Sequence, residues 1–120
     1  MNARVINTNG ILSVRIESNR IIVYDLTSAI DFLESIFTET GLQRVAVDRD
    51  AFANDFFLFG MSQIDYIMQL LGQYGTKLAI IGDFSDIDAD VTSALNRPEN
   101  TSLFLVDSEQ VAVEKLSAFA

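Results

Sequence analysis

Two short β-prone runs, Ala3 to Asn7 and Ile11 to Glu17, flank Asn9-Gly10, a pair that supplies the positive φ angles of a tight hairpin turn. These runs are expected to pair antiparallel. Val14 and Ile16 alternate with Arg15 and Glu17, which predicts one buried and one wet face. Ser18-Asn19 then turns the chain into Arg20 to Tyr24, read as a short third strand of a β-meander.

Beyond that point the period becomes helical. Ile30, Leu33 and Phe37 recur behind Ser28 as N-cap, with Asp31 at the capping-box position and Gly41 as the stop. Arg44 to Asp48 is a strand. Ile64, Ile67, Met68 and Leu71 form a second stripe, with Ser62 as N-cap, Asp65 completing the box and Gly75 ending the helix. Lys77 to Gly82 is a continuous apolar run, the pattern of a parallel strand buried on both faces. It leads into a helix predicted to be capped by Ser85, with Asp86, Asp88 and Asp90 toward the positive end of its dipole. Ile87, Val91 and Leu95 give its stripe, and Asn96 to Thr101, with Pro98, is loop. Ser102 to Val106 is the last strand, followed by a helix carrying Ala112, Leu116 and Phe119. The pattern predicts one α/β domain over residues 1–120: an antiparallel meander, then strand–helix units, in a mixed sheet with about four helices.

Composition removes several function classes. At 49% hydrophobic, 120 residues can bury one sound core. A net charge of −9, from 8 basic and 17 acidic residues, disfavours nucleic acid and anionic membrane surfaces as partners. The chain has no Cys and no His, so thiolate chemistry, disulfides and Cys-rich zinc sites are excluded. No apolar run approaches transmembrane length and the first residues lack a leader-like apolar stretch, so a cytoplasmic protein without a cofactor is expected.

Three features invite a chemical reading. Asp86-x-Asp88-x-Asp90 opens like a calcium loop, but the sixth and twelfth positions hold Val91 and Arg97 where Gly and Glu are needed. No metal is expected there. Asp48 and Asp83 stand at the C-terminal ends of strands predicted to be parallel, the edge where open α/β sheets bind ligands. They are candidate ligand-site residues, with turn or capping roles as the plainer alternative. The connection from Asp50 to Gly60 holds Phe52, Phe56, Phe57 and Phe59, too many rings for a solvated loop. These rings cover one end of the core, line an apolar pocket or form a docking patch. Ser62, at a predicted helix N-terminus, is a candidate phosphorylation site, opposed by Asp55 and Asp65 nearby.

Asp55-Phe56-Phe57, the helix ending near Tyr74, and the block Lys77-Leu78-Ala79-Ile80-Ile81-Gly82-Asp83-Phe84-Ser85 together resemble a small bacterial family, domain of unknown function 4180. That resemblance implies no activity and no catalytic residues. The layout also resembles the STAS or anti-sigma-factor-antagonist fold, which implies a partner-binding domain switched by a phosphorylated Ser at a helix start. Ser62 lies at a broadly similar place, although the Asp-Ser-Ser-Gly-type signature is absent.

Two functions follow as expectations. The preferred one is a non-enzymatic, STAS-like interaction or regulatory module that presents the Phe-rich segment and the Ser62 helix terminus to a protein partner; self-association through the Phe segment is compatible with either function. The alternative is a small-molecule binder or weak enzyme, with an apolar pocket between that segment and the sheet edge bearing Asp48 and Asp83.

Overall fold

A computed structural model describes residues 2–57 and 61–118. The strands β1 (Asn2–Thr8) and β2 (Ile11–Glu17) pair antiparallel, Thr8 facing Ile11 and Asn2 facing Glu17. Asn9 (φ 53°) and Gly10 (φ 90°) supply the left-handed positions of the hairpin turn. Strands β3 (Arg44–Asp48), β4 (Lys77–Ile81) and β5 (Leu103–Val106) then add in parallel, giving the order β1-β2-β3-β4-β5. Helices α1 (Leu26–Thr40), α2 (Met61–Gln73) and α3 (Ala89–Leu95) lie in the crossovers, and α4 (Glu109–Ser117) follows β5. The expected mixed α/β sheet is the one observed.

Strand alternation divides the core between two faces. Val14, Ile16, Val45, Val47, Leu78, Ile80 and Leu103 point to one side, where Phe32 and Ile36 of α1, Ile64 and Leu71 of α2, and Val91 and Leu95 of α3 cover them. Ala46, Ala79, Phe104 and Val106 point to the other, under Ala112 and Leu116 of α4. The small side chains Ala46 and Ala79 are register partners. They give the single helix a flat seat.

Arg15 overturns the wet face expected of β2. It is 7% exposed, because α4 lies over that side of the hairpin. Its neighbour Ser13 is fully buried there too, and its Oγ has no hydrogen-bond partner. Arg20 to Tyr24 is not a strand either. Only Val23 bridges, in parallel, to Phe52, while the N–H groups of Ile22 and Val23 donate to the Ala51 carbonyl at 2.7 and 2.9 Å. Both long edges of β2 are already occupied, by β1 and β3, so the segment docks on the turn after β3 instead.

Helix starts differ from the sequence reading where two capping residues compete. Asp25, not Ser28, caps α1: its Oδ1 accepts from Ser28 N at 2.9 Å, and Ser28 Oγ accepts from Asp25 N at 3.0 Å. In α3 the cap is Asp88, whose Oδ1 accepts from Asp90 N at 2.8 Å, while Ser85 lies in a turn closed by its N–H donating to Asp83 Oδ1 at 3.0 Å. Helix α2 begins at Met61, which makes Ser62 a first-turn residue rather than the cap. The stops are as expected. Gly41 (φ 72°) sends its N–H to the Phe37 carbonyl. Gly75 (φ 65°) closes α2, with Thr76 N bonded to the Leu71 carbonyl and Gly75 N to that of Gly72.

Candidate functional site

At the C-terminal edge of the parallel strands, the two candidate carboxylates are held separately. Asp48 accepts from Arg15 Nη2 at 2.7 Å. Arg15 also donates from Nε to Glu109 at 3.0 Å, and Glu109 is shared with Arg4, which pairs with Glu17 as well. Arg4 and Arg15 are direct cross-strand partners, an arrangement that repels by itself. Glu109 bridges them from the first turn of α4, where the helix dipole also favours a carboxylate. Asp83 instead forms a turn: the Ser85 backbone N–H holds its carboxyl below the ordinary aspartate value. Among the described residues, no three His, Cys, Asp or Glu side chains gather as metal ligands.

The Phe-rich segment sits inward. After β3 it makes two 3-10 turns, Arg49–Ala51 and Asn54–Phe57. Phe52 and Phe57 are 3% and 4% exposed, so neither can serve as an exposed docking patch. Phe56 is half-buried, and the three ring centroids lie 5.1 to 5.5 Å apart, with Phe84 5.8 Å from Phe57. Arg49 closes this cluster. Its guanidinium lies over Phe57 at 4.7 Å and Phe84 at 5.0 Å, reaches the Asp83 carbonyl and grips Asp86 with two bonds of 2.8 and 2.9 Å. That grip lowers the Asp86 carboxyl below its ordinary value. Gly82 makes room, because a Cβ there would stand 2.7 Å from Arg49 Cβ. Phe59 and the side chain of Ser62 lie outside the described residues.

An apolar opening lies elsewhere, between α1 and α2. Ile30, Leu33 and Phe37 of α1 face Leu70 and Leu71 of α2, and Tyr74 just beyond its end, across a groove of about 310 Å³, with Glu34, Thr38, Gln43 and Thr76 as its polar wall. Phe37 and Tyr74 stand at its mouth, 50% and 54% exposed. Gln43 fixes the mouth by donating from Nε2 to the Tyr74 carbonyl at 2.8 Å. Ile30, Leu33, Leu70 and Leu71 also border a smaller inner cavity of about 40 Å³, whose far wall is Phe52, Phe56 and Phe57. The Phe-rich segment thus backs a cavity between two helices, while a separate, more open depression of about 580 Å³ lies at the sheet edge beside Asp83, Phe84 and Lys115.

The sequence pattern places Phe37 in the apolar stripe of α1 and does not single out Tyr74. A signal was present: α1 carries Ile30, Phe32, Leu33, Ile36 and Phe37, an apolar arc wider than contact with one sheet requires.

No curated protein matches the sequence significantly. Among solved structures, a variant of RsbS from Moorella thermoacetica is similar in overall layout. The match has a TM-score of 0.47 and 15% identity, and covers 98% of this chain and 97% of that one. Among the described residues, no helix is long and apolar enough to cross a membrane. The family model described as domain of unknown function 4180 matches residues 8–116, and the chain belongs to that family.

Proposed function

We propose that this chain is a non-enzymatic interaction module whose working surface is the α1–α2 groove. One observation carries the reading: two aromatic side chains, Phe37 and Tyr74, stand half-exposed on either side of an apolar groove. By contrast, the carboxylates at the sheet edge are tied to Arg15 and to the Ser85 turn. The Phe-rich segment then supports the surface from inside instead of meeting the partner. Ser62, the second residue of α2, is the candidate switch, at the end of the helix remote from Tyr74.

Photo-crosslinking tests the reading. A benzophenone side chain is placed at position 37 and, as a control, at the exposed position 107, in cells that naturally express the chain. A discrete protein adduct from position 37 and none from 107 is expected. Equal labelling from both positions contradicts the proposal.

The volume and apolar lining of the α1–α2 groove favour a second reading, a small apolar ligand. A native mass spectrum of protein purified from its own cells separates the two: a retained small-molecule mass supports the ligand, a bare chain the interaction module.

A further inference from the structure

We infer that the α1–α2 groove receives a basic amphipathic helix of a protein partner, with apolar side chains between Phe37 and Tyr74 and Lys or Arg side chains on its flanks. This rests on the interaction-module reading and specifies its partner by charge. Helices α1 and α2 contain Asp31, Glu34, Glu39 and Asp65 and not one Lys or Arg. All four carboxylates are exposed, and Glu34 is part of the groove wall.

The backbone adds to the same field. Both helices end at the Phe37–Tyr74 mouth, as the Gln43–Tyr74 bond records. Each C-terminus presents the negative end of a dipole, worth about half a charge. Neither last turn carries a basic residue, and α1 places Glu39 in its own. The mouth therefore combines apolar contact area with a negative helix-end potential that no Lys or Arg of either helix offsets.

A cationic flank removes that potential while its apolar ridge fills the groove, the helix-in-groove mode of recognition. A second copy fits poorly, because a two-fold contact would set these carboxylates against their own equivalents. At about 310 Å³ the groove lies near the lower limit for a drug-sized ligand, roughly 300 Å³, and suits a few anchoring side chains.

The test uses a synthetic helical peptide with Leu and Phe at i, i+4 and i+7 and Lys on both flanks, and a second peptide with Glu in place of every Lys. Binding to the full chain is followed by fluorescence anisotropy and mapped by amide chemical shifts. The Lys peptide is expected to bind and to shift residues 30–38 and 70–76. Phe37→Ser should weaken it about tenfold or more, the loss typical of an anchoring aromatic. Glu34→Gln with Glu39→Gln should weaken it about threefold to tenfold, whereas Asp90→Asn with Glu99→Gln, remote and of equal charge change, should not.

Binding of both peptides alike, or equal loss from the remote pair, would overturn the inference. So would a concentration-dependent dimer abolished by Phe37→Ser, which would assign the groove to a second copy. A crosslinked partner from position 37 whose contacting segment is acidic or extended would overturn the inference and leave the interaction module standing. Equal crosslinking from positions 37 and 107 would remove the module itself.

Discussion

Beneath α4 the sheet carries Arg4, Arg15, Arg44, Lys77 and Asp48, and each of them meets a partner: Glu17, Glu109, the Leu116 or Thr101 carbonyl, or one another. Beneath α1 and α2 the sheet carries aliphatic side chains alone, yet the helices above leave a groove and two half-exposed rings. On the first face the charges are paired within the molecule. The second is apolar and incomplete. Unmet contacts, not conspicuous charges, therefore mark the surface to test for function.

The comparison breaks most visibly if the Phe-rich segment is not core. Phe57→Ala should cost about 3–5 kcal/mol, the usual range for a buried Phe, read from the urea midpoint at unchanged m-value. A loss below about 1 kcal/mol would place Phe57 at the surface instead.

Next in size is the polar face. Arg15→Met should cost about 2 kcal/mol, because Asp48 and Glu109 lose charge-assisted bonds while remaining partly hydrated. Ser13→Ala should act in the opposite direction. Removing an unpartnered buried hydroxyl should stabilise the fold by about 1 kcal/mol, visible as a higher melting temperature.

Smallest is the effect of the pair between half-buried Arg49 and exposed Asp86. The Asp86 carboxyl lies below its ordinary value in the folded chain, so its contribution is present above that value and is lost as pH falls through the lowered one. Stability should thus decline on acidification, and Asp86→Asn should flatten part of that decline in urea titrations between about pH 5 and about pH 2. An identical acid limb in the variant would show that Arg49 does not hold Asp86 in solution.

Much of the fold is legible in the sequence because local signals agree. Asn9-Gly10 admits few conformations other than a hairpin turn, and the apolar run before Gly82 fits a strand covered on both faces. Helix starts are misread where two caps lie three residues apart, as with Asp25 and Ser28, since tertiary packing chooses between them. The burial of Arg15 is invisible locally, because α4, which covers it, arrives about ninety residues later. The groove is hidden for the same reason. Helical spacing shows that Phe37 belongs to an apolar stripe, but not that the stripe overruns the surface available to bury it.

The central claim, that function lies in the open apolar groove between α1 and α2 and stability in the paired charges beneath α4, is tested most directly by one paired measurement. Unfolding free energy and Lys-peptide affinity are determined together for Phe37→Ser and Arg15→Met. Phe37→Ser should keep its stability to within about 0.5 kcal/mol and lose most of its binding, while Arg15→Met should lose about 2 kcal/mol and bind as the parent does. The reverse pattern, or equal loss of both properties in both variants, would contradict it.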